Sequence, residues 1–171
     1  MGYVLLLGGA RSGKSSLAYR LAAESGLGVT CIVTATADDA EMAERIQRHR
    51  DERPAGWTTV EEPLEMPGAI RGVGRERFVV VDCLTLWVSN LLGAGRAPED
   101  IVSLANDVVE ELELTRAAVV SNEVGLGIVP ANELARTFRD VLGRVNATFA
   151  ARAERSLLMV AGRSLELVSP P

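Results

Sequence analysis

The sequence is poor in the residue types that build several common kinds of protein site. It contains one histidine and two cysteines, so the Cys/His spacing of a zinc site is missing. Both cysteines lie in apolar, strand-like runs, and we predict that Cys31 and Cys83 are small buried side chains. No apolar run approaches the roughly 18 residues of a membrane span. The longest run, FVVVDCLTLWV, carries Asp82 in its middle.

A net positive charge is also missing. With 18 basic and 23 acidic residues the net charge is −5, so no general attraction to nucleic acid is expected. The N-terminus has no basic segment followed by an apolar stretch and a cleavage site, which predicts no secretory signal and a cytoplasmic location. A length of 171 residues favours one domain, 1–171, with a full-sized core.

Strand-like and helix-like segments alternate along the chain. Apolar runs predict strands at 3–7, 29–34, 77–82, 117–124 and 156–162, with an extra edge strand at 165–168. Periodicity and capping signals predict helices at 14–25, 38–54, 83–92, 98–115 and 131–154, whereas 62–76 reads as a connection with weak structure. Because the strands are apolar on both faces, the fold class is α/β, a mostly parallel sheet with helices on both faces.

The first functional signal is GGARSGKS at 8–15, which fits G-x-x-x-x-G-K-[ST]. It lies between a predicted strand and a predicted helix, the context that a phosphate-binding loop requires. Backbone N–H groups and the helix N-terminus bind phosphates, Lys14 reaches the outer phosphates, and Ser15 is a ligand for Mg²⁺. The predicted cradle comprises Gly8, Gly9, Ala10, Arg11, Ser12, Gly13, Lys14 and Ser15.

A second signal is Asp82, the acid that ends the strand RFVVVD. In phosphate-loop enzymes an acid at this place holds Mg²⁺, directly or through water. The alternative is an aspartate that caps the next helix. Given the loop, the metal role is favoured.

The single histidine, His49, falls within a predicted helix that begins near Asp38 or Asp39. Met42, Ile46, His49 and Arg53 would lie along one face of this helix. The arginines nearby favour anion binding over simple packing, although a solvated basic face paired with Asp51 and Glu52 is the competing interpretation. These arginines are Arg45, Arg48, Arg50 and Arg53.

Polar residues also follow the strand at 117–124. Asn122 and Glu123 come at its end, Gly125 and Gly127 free the backbone, and a turn precedes the next helix. Polar groups at this end of the strand could contact a substrate hydroxyl. Glu123 is the candidate base that accepts the hydroxyl proton, and its position at the strand end is the only reason for this choice. For Asn132 a helix-capping role is the alternative.

Four segments together resemble one family, the bifunctional adenosylcobinamide kinase and adenosylcobinamide-phosphate guanylyltransferase enzymes of cobalamin biosynthesis. The segments are GGARSGKS, DDAEMAERIQRHRDERPAGWTTVE, VVDCLTLWVSNLL and VSNEVGLGIVPANELARTFRDVLGRVN. The resemblance runs from near residue 4 to about 162. One departure is Ala147, where the family usually has Gln.

The resemblance implies a RecA-like phosphate-loop fold, a homotrimer and two reactions. ATP or GTP phosphorylates a hydroxyl of adenosylcobinamide, and GTP then gives GMP to a histidine that passes it to adenosylcobinamide phosphate. His49 occupies the position of that histidine. The resemblance also places other residues in segments that contact GTP, namely Val33, Thr34, Ala35, Arg50, Asp51, Glu52, Arg53, Glu61 and Asp82. A simple small-molecule kinase and a GTP-binding switch module are the alternatives, the second disfavoured because no N-K-x-D-like guanine reader occurs.

Overall fold

The structure is a computed structural model that describes residues 1–36, 40–51 and 53–169. Within the helix at 40–51, the side chains of residues 40–42, 45, 48 and 49 lie outside the description.

In this part of the chain, seven strands form one sheet in the order β3-β2-β4-β5-β1-β6-β7. All neighbouring pairs are parallel except β6 and β7, which form an antiparallel hairpin. The strands are β1 Gly2–Gly8, β2 Gly28–Val33, β3 Thr58–Glu61, β4 Arg77–Asp82, β5 Arg116–Val120, β6 Arg155–Val160 and β7 Arg163–Leu167. The mostly parallel sheet and the extra edge strand are therefore confirmed.

The described helices are α1 Lys14–Glu24, α2 Ala40–Asp51, α3 Met66–Val73, α4 Leu84–Gly93, α5 Pro98–Glu113 and α6 Glu133–Arg152. Proline opens α5, where its missing N–H costs no helical hydrogen bond. α1 ends before Gly26, which has φ +70°, as its stop signal predicted.

Both faces of the sheet are covered, because successive strand residues point to opposite sides. On one face, Tyr3, Leu5 and Leu7 of β1 pack in a cluster with buried residues of α3, α4, α5 and α6. On the other face, Leu6 packs with Ala18 and Ala22 of α1. The near-continuous apolar strands follow from this two-sided burial.

The prediction of weak structure at 62–76 was wrong. α3 occupies Met66–Val73, with Pro67 in its first turn and with Met66 and Ile70 buried against the sheet. Proline at a helix start and two apolar residues four apart were the helix signals, and the surrounding glycines and charges obscured them. The short edge strand β3 was also not predicted, because its residues are mostly exposed and lack an apolar run.

Two local predictions need correction. The spacing of three and four residues between Leu134, Phe138, Val141, Val145 and Phe149 predicts one apolar face on this helix. Leu134 is nonetheless 67% exposed, whereas Val141, Val145 and Phe149 are buried as expected. Arg53 lies beyond α2, which ends at Asp51, so it does not share a helical face with Ile46.

The cysteines and the caps were predicted with mixed success. Cys31 is fully buried, but Cys83 is only half-buried at the start of α4. The candidate caps Asp38 and Asp39 lie outside the described residues. Asn132 does cap a helix, since its side chain accepts a hydrogen bond from the amide of Ala135.

The parallel arrangement brings the carboxyl ends of β1 to β6 to one edge of the sheet. Gly8, Val33, Asp82 and Val120 end four adjacent strands there. Ligands of open α/β sheets bind at this edge. The predicted site residues that follow these strands therefore lie at the same edge of the sheet.

Candidate active site

The loop after β1 turns through backbone conformations that its glycines permit. Gly8 has φ +147° and Gly13 has φ +97°, and Arg11 adopts φ +55° between them. A Cβ on Gly8 would lie 2.3 Å from the carbonyl oxygen of Met159, so a side chain does not fit there. The residues at 8 and 13 that define the motif are thus required by the shape of the loop.

The side chain of Lys14 lies inside the curve of the loop. Its Nζ donates to the carbonyl oxygens of Gly8 at 3.0 Å and Gly9 at 2.7 Å, and to the hydroxyl of Ser12 at 3.4 Å. Lys14 and Ser12 are both buried. The ammonium group is consequently held at the N-terminus of α1, where the helix dipole also favours an anion.

The β6–β7 hairpin supports the loop from behind. The amide of Gly162 donates to the carbonyl of Ser12 at 3.0 Å, and the backbone of Met159 abuts Gly8. This contribution was not predicted, because it joins residues about 150 positions apart through the pairing of β1 with β6.

Asp82 faces α1 across the sheet edge. The hydroxyl of Tyr19 donates to Asp82 Oδ2 at 3.4 Å, and the same hydroxyl accepts from Arg53 Nε at 3.4 Å. Arg53 also donates to Thr59 Oγ1 at 3.1 Å. Because Ser15 and Tyr19 are four residues apart on α1, they share a helical face, and Ser15 lies on the side of α1 that faces Asp82.

Tyr19 was missed by the sequence reasoning, although its spacing from Ser15 was a usable signal. Its ring packs edge-on against Trp57 with centroids 5.7 Å apart. Burial, and secondarily the nearby Asp82 carboxylate, raise the pKa of Tyr19 to about 12. The phenol is therefore protonated at neutral pH and donates to the carboxylate.

Several other predicted nucleotide-contacting residues surround this edge. Val33 and Thr34 are buried at the end of β2, and Ala35 is half-buried. Arg50 and Glu61 are exposed and form an ion pair with each other. Asp51 is exposed and accepts from Gln47 Nε2 at 2.8 Å. Glu52 lies outside the described residues.

The predicted nucleophile His49 belongs to α2, two residues before that helix ends. Its imidazole lies outside the described atoms, so its role stays a prediction. The contacts of Arg50 and Arg53 place the end of α2 beside β3 and α1.

Glu123 lies in the segment after β5, next to the phosphate-loop motif. Its amide donates to the carbonyl of Gly8 at 3.1 Å, and its Oε1 accepts from the amide of Gly125 at 2.6 Å. Asn146 holds the same segment from α6, since it accepts from Ser121 at 2.7 Å and donates to the carbonyl of Asn122 at 3.1 Å. The neighbouring Ala147 is exposed.

The donor set at this edge fits Mg²⁺, which prefers a few oxygen ligands together with substrate phosphates. The serine hydroxyl of Ser15 and the carboxylate of Asp82 are oxygen donors on adjacent elements. Among the described residues, no group of three or more His, Cys, Asp or Glu could hold a metal ion. Nor does any helix in that part of the chain have the length and apolarity to cross a membrane.

Comparison with solved structures agrees with the fold. The chain is similar to the flagellar accessory protein FlaH of Methanocaldococcus jannaschii, with a TM-score of 0.54 and 14% identity, over 95% of this chain and 74% of FlaH. It is also similar to the assembled ATPase EscN of the enteropathogenic E. coli type III secretion system, with a TM-score of 0.57 and 9% identity, over 94% and 43% of the two chains. At such identities the likeness shows a phosphate-loop NTPase fold of the RecA-like kind and no more.

Sequence comparison is more specific. The chain is 48% identical over 170 residues to the bifunctional adenosylcobalamin biosynthesis protein CobP of Pseudomonas aeruginosa, covering 98% of each. It is 38% identical over 179 residues to CobU of Salmonella typhimurium, covering 96% of this chain and 98% of CobU. Residues 4–167 match the family model described as cobinamide kinase / cobinamide phosphate guanyltransferase. The chain belongs to the CobU family of cobinamide kinases and cobinamide phosphate guanylyltransferases.

Proposed function

We propose that this protein is a bifunctional transferase of cobalamin biosynthesis. It phosphorylates adenosylcobinamide with ATP or GTP, and then transfers GMP from GTP to adenosylcobinamide phosphate, giving adenosylcobinamide-GDP and pyrophosphate. Family membership over residues 4–167 carries the proposal. The buried Lys14 inside the phosphate loop supports it, because both reactions begin with a bound triphosphate.

The second reaction proceeds through His49 in two displacements. An imidazole nitrogen attacks the α-phosphorus of GTP, a P–N bond forms, and the bond to pyrophosphate breaks. A phosphate oxygen of adenosylcobinamide phosphate then attacks the same phosphorus and the P–N bond breaks. A neutral imidazole suits the first displacement because its ordinary pKa is about 6.5, and His49 is the one histidine of the sequence.

One phosphate loop thus serves two scissile bonds, and we propose that the nucleotide or α2 takes two placements. In the kinase step the acceptor oxygen faces the γ-phosphate, and the loop holds the transferred group. In guanylylation His49 faces the α-phosphate at roughly 3–3.5 Å before attack, and the loop holds the leaving pyrophosphate. A nucleotide complex in which His49 and the acceptor hydroxyl are both in line without movement would contradict this proposal.

The residues have separate roles in this scheme. Lys14 and the backbone of 8–15 bind the phosphates, while Ser15 and Asp82 would hold Mg²⁺, which neutralises phosphate charge when bound. Tyr19 supports the orientation of the Asp82 carboxylate. Glu123 is the proposed base for the acceptor hydroxyl, supported by its position beside Gly8.

The remaining nucleotide contacts are proposed from the resemblance. They are Val33, Thr34, Ala35, Arg50, Asp51, Glu52, Arg53 and Glu61. We also propose a single domain over 1–171, a homotrimer and a cytoplasmic location, with no nucleic-acid partner.

Incubation with GTP labelled at the α-phosphorus tests this function. The wild-type chain should acquire an acid-labile, base-stable label, and His49→Ala should acquire none while it retains adenosylcobinamide kinase turnover. A wild-type chain that phosphorylates adenosylcobinamide but never takes the label would instead be a monofunctional kinase. Equal loss of both reactions in His49→Ala would make the histidine a general phosphate ligand.

A further inference from the structure

A cluster of large aliphatic side chains is exposed on the segment that follows β5. Leu126 is 84% exposed, Ile128 97% and Val129 60%, and Leu134 in the first turn of α6 is 67% exposed. We call residues 124–129 together with Leu134 the apolar loop. Several large exposed apolar side chains on one short segment point to a binding surface, because their contact with water is unfavourable.

Hydrogen bonds hold both ends of the apolar loop. At its start, the carboxylate of Glu123 accepts from the amide of Gly125 at 2.6 Å. At its end, Arg136 Nη1 donates to the carbonyls of Pro130 at 3.1 Å and Ala131 at 2.6 Å. Asn132 caps the helix that follows. The polar groups therefore fix the backbone on both sides, while Leu126, Ile128 and Val129 between them are exposed to solvent and Val124 packs against the core.

The apolar loop begins at the phosphate-binding loop. The amide of Glu123 donates to the carbonyl of Gly8, the first residue of the phosphate-loop motif, at 3.1 Å. Ile128 is five residues further on, so an extended chain keeps it within about 17 Å of that contact. A ligand that places a hydroxyl at the phosphate site is therefore within reach of the exposed side chains.

Resting on the function proposed above, we propose that the apolar loop is the docking surface for the corrin macrocycle of the acceptor. The acceptor hydroxyl and phosphate lie on a short aminopropanol arm of a broad ring that carries methyl groups and amide side chains. When the arm reaches the phosphate loop, the ring must rest on the surrounding surface. Leu126, Ile128 and Val129 offer apolar contacts to its methyl-bearing periphery, and the same surface serves both acceptors.

A second copy of the chain fits the apolar loop less well as its occupant. Stable subunit interfaces use about 20–30 residues a side, whereas the apolar loop comprises only residues 124–129 and Leu134. The apolar loop also adjoins the phosphate-binding loop. A substrate that reacts at the phosphate site needs such a neighbouring surface, whereas an interface between two copies of the chain does not.

The test compares Leu126→Ser and Ile128→Ser with Leu114→Ser as the matched control. Leu114 is an exposed leucine just before β5, at the opposite edge of the sheet. We measure binding of adenosylcobinamide by equilibrium dialysis without nucleotide, the KM for each corrinoid acceptor, and labelling of the protein by α-labelled GTP. Both loop variants should weaken corrinoid binding and raise the corrinoid KM at least tenfold, whereas Leu114→Ser should change them less than twofold.

Labelling by GTP separates this proposal from the proposed function, since that step involves no corrinoid. It should stay within twofold of wild type in both loop variants. Unchanged corrinoid binding would overturn the docking proposal, and so would an equal loss of labelling, which would mean a disturbed phosphate loop. A change of oligomer mass with unchanged corrinoid KM would show that another copy covers the loop, also overturning it. If wild type binds adenosylcobinamide but takes no label, the guanylyl step fails and the docking surface stands.

Discussion

Thr34 and Cys83 are joined by two reciprocal hydrogen bonds. The hydroxyl of Thr34 donates to the carbonyl of Cys83 at 2.7 Å and accepts from the amide of Cys83 at 3.0 Å. Thr34 is fully buried, and its own carbonyl accepts from Asn90 Nδ2 at 2.7 Å. One hydroxyl thereby fixes the carboxyl ends of β2 and β4 to each other, immediately beside Asp82.

Replacing Thr34 by valine tests this connection. Thr34→Val keeps the shape of the side chain but leaves a largely buried amide and carbonyl without their partner, so we expect the free energy of unfolding to fall by about 1–3 kcal/mol. Thr34→Ser retains the hydroxyl and should lose less. Urea denaturation measures both variants, and equal stability of Thr34→Val and wild type would contradict the expectation.

Gly8 and Gly9 form a matched pair for testing the shape of the loop. A Cβ on Gly8 would meet a backbone oxygen at 2.3 Å at φ +147°, whereas a Cβ on Gly9 meets nothing within 4 Å. We expect Gly8→Ala to lower the free energy of unfolding by about 2 kcal/mol or more and Gly9→Ala to change it far less. Coinciding thermal melts of the two variants would contradict the close approach of the β6 backbone to Gly8.

The two tyrosines should titrate abnormally late. Burial raises the pKa of Tyr19 to about 12, and burial raises the pKa of Tyr3 still further, where its hydroxyl donates to the carbonyl of Phe149 at 2.6 Å. Tyrosinate absorbance at 295 nm should stay low in the folded protein up to about pH 11, while the unfolded chain titrates near pH 10. A folded-state midpoint near 10 would contradict the burial of Tyr3 and the partial burial of Tyr19.

The raised tyrosine pKa values make the free energy of unfolding depend on pH in the alkaline range. Because the folded pKa values lie above the unfolded ones, the contribution is fully present below pH 10 and is lost as pH rises toward 12 for Tyr19. Burial also raises the thiol pKa values of Cys31 and Cys83 to about 11 from an ordinary 9. The thiols therefore contribute to stability with the same sign, and their contribution begins to fall at a lower pH than that of the tyrosines. Urea midpoints should therefore decline steadily above about pH 9, and a constant midpoint up to pH 11 would be the contrary result.

Lys14→Ala should abolish both reactions. The side chain of Lys14 is buried inside the phosphate loop, where its ammonium group donates to the carbonyls of Gly8 and Gly9. Removing a charged donor of this kind costs on the order of 100-fold or more in turnover. Kinase turnover and labelling by α-labelled GTP are measured side by side, with circular dichroism as the check on folding. Retained kinase turnover would contradict a phosphate role for Lys14.

Much of the fold was predictable because its signals are local. Continuous apolar strands, the glycine stop after α1 and the proline at the start of α5 each reflect backbone or burial requirements of a few neighbouring residues. α3 was missed because its helix signals are only a proline and two buried residues among glycines and charges. β3 was missed because an exposed edge strand has no apolar pattern to read.

The candidate site likewise combines features that local sequence predicts with contacts that only the fold determines. The phosphate-loop motif, Asp82 at a strand end and Glu123 after β5 were predicted as site candidates from sequence. Parallel strands bring their carboxyl ends together at one edge of the sheet, whatever lies between them. The Tyr19 contact with Asp82, the support of Ser12 by Gly162 and the bonds between Thr34 and Cys83 each join residues at least 49 positions apart. Such pairings follow from strand order and register, which short sequence patterns do not contain.

The sequence by itself determined an α/β chain with a phosphate loop, a strand-end acid and one histidine among arginines, since residue type and spacing suffice for these features. Tertiary structure alone decided which side chains contact one another at the sheet edge. It buried Lys14 within its own loop, turned the phenol of Tyr19 toward Asp82, and left the aliphatic side chains after β5 in solvent, a few residues beyond the contact of Glu123 with Gly8. The physical reason is that burial and hydrogen bonding depend on neighbours in space, and the order of the strands sets those neighbours.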